Sequence, residues 1–191
     1  MVIPQPHRKR VKHFDIPGQV HELTFSCYRR LPLLDDDRHK MLLSRAIDAA
    51  AARLGFHVVG FVYMPEHVHL LVRPLEPSCQ VSALLYAIKR PLTYRVKQVM
   101  EASRDSRLAD LTVRERPGKN AFRFWQVGPG YDRNLTRRDA VIQALEYAHA
   151  NPVRRGFCDR PGAWKWSSWR FYHGDGPSDP DLPLVHGLPK D

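Results

Sequence analysis

Cysteine is scarce in this chain, and acidic residues are outnumbered. The 191 residues contain three cysteines, Cys27, Cys79 and Cys158, with no Cys-x-x-Cys pair. That excludes a disulfide framework and a thiolate zinc module, and it leaves three ordinary reduced thiols. No apolar run approaches the roughly 18 residues of a membrane span, and the basic start of the chain is not followed by the apolar stretch of a secretory signal. The expected location is cytoplasmic, beside the nucleoid, with no membrane partner. Asp and Glu number 20 against 30 Lys and Arg, a formal net charge of +10, so the expected partner is a polyanion. Repeats and low-complexity blocks are also missing. With 43% hydrophobic and 26% charged residues, the chain has the composition of one globular domain with a core.

What is present centres on residues 61–72, Phe-Val-Tyr-Met-Pro-Glu-His-Val-His-Leu-Leu-Val. Side chains alternate across a strand, so His67 and His69 share one face while Val68, Leu70 and Val72 share the other. Two neutral imidazoles side by side on a rigid strand are a start for a divalent metal site. By themselves they are equally compatible with two half-exposed strand histidines.

Taken in order, residues 1–17 form a basic, proline-containing arm with Arg8, Lys9, Arg10 and Lys12, placed near phosphates or simply solvated. Residues 20–27 alternate as a first strand. Asp35, Asp36 and Asp37 offer N-caps, and Gly55 a stop, for an amphipathic helix bearing Leu43, Ile47, Ala50 and Leu54. Residues 56–63 make a second strand, joined by the Met64-Pro65-Glu66 turn to the histidine strand. Ser78 can cap a long second helix to about Ala102 that buries Val81, Leu84, Leu85 and Ile88 and is kinked or split at Pro91. Its far half carries Lys89, Arg90, Arg95 and Lys97 around Tyr94, a face for nucleic acid or for water. Residues 103–120 read as a flexible excursion, 122–127 as a strand and 128–130 as a turn. The resulting β-α-β-β-α-β order predicts an α+β, ferredoxin-like (split βαβ) antiparallel sheet with its helices on one face and the other face bare.

A further amphipathic helix is expected over residues 136–151, ended by Pro152, with Val141, Ala144, Leu145 and Ala148 as its apolar stripe. Tyr147 and Asn151 stand one turn apart at the stripe's margin, where they could also be a core-edge ring and a C-terminal cap. Beyond it, Arg154, Arg155, Arg160, Lys165 and Arg170 alternate with Trp164, Trp166, Trp169, Phe171 and Tyr172. That block suits phosphate contacts and base stacking, or a tryptophan lid over the core. Composition after Gly174 predicts a disordered end over 175–191, which leaves a single domain over 18–174.

The histidine strand resembles the histidine-hydrophobe-histidine motif of the HUH single-strand nucleases. Residues 147–156, Tyr-Ala-His-Ala-Asn-Pro-Val-Arg-Arg-Gly, followed by Trp164-Lys165-Trp166-Ser167-Ser168, resemble the C-terminal block of the REP-associated tyrosine transposases. The resemblance spans about residues 20–172. It implies a divalent metal, Mg²⁺ or Mn²⁺, held by His67, His69 and the amide oxygen of Asn151, with Tyr147 as nucleophile. It also implies cleavage and strand transfer of single-stranded, hairpin-bearing, REP-like DNA through a 5′-phosphotyrosine, by a monomer or a homodimer. Arg90, Arg95, Lys97, Arg154, Arg155, Lys165 and Arg170 are the candidate DNA contacts. Glu66 reads as a turn residue and His149 as a helix-surface residue. The chain departs from the family at Leu135-Thr136-Arg137-Arg138, where acidic residues are usual, and in the length of the 103–120 segment. The competing readings are an inactive hairpin-binding regulator on the same sheet and a phosphodiesterase that uses water.

Overall fold

Turn and cap residues divide the chain where the periodicity changes. The computed structural model describes residue 16 and residues 18–128, 130–174 and 179–189; the basic arm expected over 1–17 lies outside the described residues apart from Ile16. Strand β1 spans Val20–Ser26 and helix α1 spans Asp37–Leu54. The Asp36 carboxylate accepts the Arg38 amide at 2.9 Å, satisfying one of the unpaired donors of the first turn. Gly55, at φ 70°, ends the helix in the left-handed conformation that glycine adopts without strain. Strands β2, Phe56–Tyr63, and β3, His67–Pro74, form the expected hairpin.

Helix α2, Val81–Ala102, is one helix with Pro91 inside it. Buried Leu84, Ile88, Leu92, Val96 and Met100 recur every four residues on both sides of that proline. Tertiary packing therefore holds the two halves in line across the lost hydrogen bond. Residues 103–120 are not the loose excursion expected: they contain α3, Arg107–Leu111, and most of a two-stranded hairpin of β4, Thr112–Arg116, and β5, Lys119–Phe122. Cross-hairpin ion pairs of Glu115 with Lys119 and Arg123 account for the high charge of the segment. The fourth sheet strand is also displaced from expectation, to β6, Tyr131–Leu135. Phe124 and Trp125, in the stretch expected to be that strand, instead plug the core as an edge-to-face ring pair 4.8 Å apart.

The sheet runs β2-β3-β1-β6 and is antiparallel throughout, which is the ferredoxin-like order. Its first face, with Leu23, Phe25, Phe61, Tyr63, Val68, Leu70 and Val72, meets α1 and α2 in the main core. Its second face is not bare. Helix α4, Arg138–Arg154, sets Val141, Ala144 and Leu145 on Val20, Val59, Leu71 and Leu135, and Ala148 on Val62 and Met64. The close approach depends on a bulge between Val58 and Gly60, where a Cβ on Gly60 would come within 2.2 Å of Leu145 Cδ2. Helix α4 runs past Pro152 to Arg154, and Gly156, at φ 72°, turns the chain away just beyond it; proline in the last turn gives up only one internal bond.

The disordered end expected after Gly174 does not describe residues 179–189. Together with residues 166–168 they line the outer edge of β2: the Tyr63 amide donates to the Trp166 carbonyl, the Ser168 amide to Phe61 and the His186 amide to Val58, at 2.8–2.9 Å. An open strand edge is an aggregation hazard, and this pairing covers it. Of the tryptophans, Trp166 is core, Trp164 donates its indole N–H to the Tyr63 carbonyl, and Trp169 stacks on His173 in the short helix α5, Trp169–His173. Among the described residues no helix is long and apolar enough to cross a membrane.

Candidate active site on the second face of the sheet

His67 and His69 lie on the second face, 6% and 7% exposed, at the margin of α4. Their Nε2 atoms converge to 3.0 Å. Each ring is held from behind. Glu66 Oε1 is 3.1 Å from His67 Nδ1, and the Thr24 hydroxyl, on the neighbouring strand β1, is 3.1 Å from His69 Nδ1. A carboxylate can only accept, so Glu66 keeps the His67 proton on Nδ1 and turns the Nε2 lone pair into the site. The Thr24 hydroxyl can donate or accept, so His69 is able to free its Nε2 as well. Burial lowers both imidazoles, and the neighbouring His67 lowers His69 further, to about 4; both are neutral, the form that binds metal.

Glu66 is more than a turn residue. The same Oε1 receives Arg155 at 2.5 Å, from the C-terminal end of α4, and Arg30 at 3.4 Å. Burial raises this carboxyl, and the lowering, led by the hydrogen bond from Arg155, outweighs it. Glu66 thereby ties the histidine strand to the helix that carries the tyrosine.

Tyr147 projects from α4 with its ring centroid 6.4 Å from that of His69. It is 51% exposed, so its phenol is open to a macromolecular substrate. Arg154 lies over its ring at 4.9 Å. Asn151, one turn further on, donates its side-chain amide to the Tyr147 carbonyl at 2.9 Å. Only the NH₂ group can make that bond, so the oxygen Oδ1 is left available as a ligand. Among the described residues no group of three or more His, Cys, Asp or Glu side chains could hold a metal ion, so any third protein ligand beside the histidines would be of another type, such as the Asn151 amide. The donor set fits a hard divalent ion: two nitrogens at right angles, each about 2.1 Å from an octahedral centre, lie about 3.0 Å apart.

The other candidate DNA contacts are dispersed. Arg90, Arg95 and Lys97 ride on α2, which packs against the first face, behind the histidines. Arg90 bonds the Tyr86 hydroxyl and Lys97 pairs with Glu101. Lys165 is held at 2.6 Å by Asp181 and at 3.6 Å by Asp179, within the chain. Arg170 is exposed and donates to the Gly162 carbonyl. His149 is not on the helix surface: it is 4% exposed and bonded to the Ser168 hydroxyl at 2.9 Å, because α4 is covered there by the C-terminal segment. Sequence reasoning missed Thr24. The signal available was its place on the first strand, in register with His69 once β1 and β3 pair.

Residues 18–110 match the family described as IS200-like transposase. Both histidines fall inside the matched stretch; Tyr147 and Asn151 lie beyond it. The chain shares the fold of a solved REP-associated tyrosine transposase bound to a REP hairpin, at 17% identity and a TM-score of 0.65 over 96% of this chain and 98% of that one. A putative transposase from Deinococcus radiodurans R1 is 19% identical over 72% of this chain and 97% of its own, with a TM-score of 0.43. No curated protein matches the sequence. The fold shared with the hairpin-bound structure extends from β1 through the C-terminal segment, and it sets α4 beside the histidine strand.

Proposed function

We propose that this chain cuts and rejoins single-stranded, hairpin-bearing DNA with Tyr147 as the nucleophile. The observation that carries the reading is the placement of an exposed tyrosine ring 6.4 Å from His69, one of two buried histidines whose Nε2 atoms meet at 3.0 Å. His67, His69 and Asn151 would hold Mg²⁺ or Mn²⁺, which would supply Lewis-acid withdrawal of charge from the scissile phosphate. The residues of the chain do the rest. The Tyr147 oxygen attacks phosphorus in line with the 3′ oxygen; the new O–P bond makes a 5′-phosphotyrosine as the P–O3′ bond breaks. The phenolic proton ends, net, on the departing 3′-hydroxyl. Because one phosphodiester replaces another, an incoming 3′-hydroxyl reverses the step on a different strand without ATP. A tyrosine hydroxyl, ordinarily near pKa 10, is a weak nucleophile, so positioning carries much of the rate. Arg154, over the tyrosine ring, places positive charge where the phosphate must lie.

DNA outside the cleavage point is held by Arg90, Arg95 and Lys97 on α2 and by Arg170, which receive hairpin phosphates. Lys97, Arg155 and Lys165, each already paired with a carboxylate, contribute less. The REP hairpin bound by the structural neighbour makes REP-like hairpins the substrates to try first. The test is incubation of the purified protein with Mn²⁺ and a 3′-labelled single-stranded hairpin library. Label retained on the wild type in a denaturing gel, and absent with Tyr147→Phe, is the expected result. Cleavage that persists in Tyr147→Phe without an adduct would replace the tyrosine by water.

A further inference from the structure

Beyond Glu66 the end of the sheet opens into a groove of about 550 Å³, lined by Arg30, Asp35, Pro65, Glu66, Arg155 and Phe157. Its size is that of a small-molecule site. Two guanidinium groups face two carboxylates, so the groove suits a ligand with both donors and acceptors better than a bare anion. Phe157, 43% exposed and with Arg155 at 5.8 Å from its ring, offers a flat surface for stacking. Asp35 can accept from base amino groups, and Arg30, its side chain 64% exposed and paired with Glu66 only at 3.4 Å, can turn from it to reach a phosphate.

The backbone at this rim is strained. Arg29 and Arg30 sit at φ 53° and 55°, in the left-handed region that costs a non-glycine residue free energy and persists only where neighbours enforce it. The Cys27 amide bonded to the Glu66 carbonyl, and the Tyr28 amide bonded to that of Phe124, enforce it here. The groove also adjoins the reaction centre. Glu66 Oε1 is shared between His67 Nδ1 and Arg155, and Arg155 lies eight residues along α4 from Tyr147, about 12 Å at 1.5 Å per residue. That is the reach of a nucleotide or two.

We infer that this groove receives one unstacked nucleotide of the DNA strand next to the phosphodiester at Tyr147, its base against Phe157 and its phosphate toward Arg30. The inference rests on the strand-transfer reading of the histidine–tyrosine site. Its test is photocrosslinking of the full-length protein to random-sequence single-stranded DNA carrying 5-iododeoxyuridine in place of thymidine, with crosslinked peptides mapped by mass spectrometry. The peptide containing Phe157 is expected to carry DNA. Phe157→Ala, at an exposed position, should abolish that crosslink and weaken binding about 5- to 150-fold, the loss of one stacked base. Arg30→Ala should weaken binding and keep the crosslink. DNA bound with the Phe157 peptide unmodified, or affinity unchanged in Phe157→Ala, would overturn the groove while a Tyr147 adduct left the proposed reaction standing. A Phe157 crosslink without any Tyr147 adduct would support the groove as a DNA site and remove the reaction.

Discussion

The two faces of the central sheet use the same strands to opposite ends. On the first, Val68, Leu70 and Val72 are sealed under α1 and α2; on the second, one residue out of step, His67 and His69 stand at the edge of α4, each with a ring nitrogen held by a neighbour. A strand's period of two allows this division: the apolar face fixes the register, and with it the position of the polar face. Burying each large side chain of the first face contributes about 1.5–3 kcal/mol. The first face therefore supplies stability, and the second can carry partly desolvated imidazoles that add little to it.

Replacing one residue on each face gives the widest separation. Leu70→Ala, at a fully buried position, should cost about 2–5 kcal/mol in urea unfolding. His69→Ala should cost much less in the absence of metal, yet abolish Mn²⁺ binding by calorimetry. Equal costs for the two would erase the distinction between the faces.

A third histidine sharpens the comparison from within α4. Burial lowers His149 from its ordinary 6.5 to about 4, with the charge of His173 acting in the same direction. Above pH 6.5 neither the native nor the unfolded form is protonated, and the group contributes nothing to the pH dependence. As pH falls from 6.5 toward 4 the unfolded chain takes up the proton first, so native stability declines, by about 3 kcal/mol over the interval. In His149→Gln the decline over that interval should be shallower by about that amount, the share of His67 and His69 remaining, when stability is followed against pH.

Smaller effects should follow where α4 is seated. Gly60→Ala forces a methyl group against Leu145 and should cost about 1–3 kcal/mol, with a slower Tyr147 reaction if the helix shifts. Unchanged stability would mean that Leu145 swings aside freely. Glu66→Gln keeps the shape of the turn and should lower Mn²⁺ affinity about 10- to 100-fold by loosening the hold on His67, with little change in the unfolding midpoint.

Much of this arrangement was legible in the sequence. Strand β2 and the ends of α1 follow from Gly55, Asp36 and the change from helical to alternating periodicity, all of them local signals. The histidine pair could be placed on one face from spacing alone. The errors arose where tertiary contacts override local preference. Pro152 suggested a stop that α4 runs past by two residues, and residues 103–120 are ordered by cross-hairpin ion pairs that composition conceals. Composition alone predicts disorder for the proline-rich end, although Leu182 and Val185 pack on the main core and His186 bonds the edge strand. Glu66 and Thr24 show the same limit at the site: their roles depend on which residue lies across the sheet or at the end of a distant helix.

The central claim is that Tyr147 is the residue that becomes joined to DNA. The most direct measurement is proteolysis of the adduct formed with 3′-labelled single-stranded hairpin DNA and Mn²⁺, followed by mass spectrometry of the nucleotide-bearing peptide. The account predicts a 5′-phosphotyrosine at Tyr147, absent in His67→Ala and His69→Ala. Nucleotide attached to any other residue, or adduct formation undiminished without the two histidines, would contradict it.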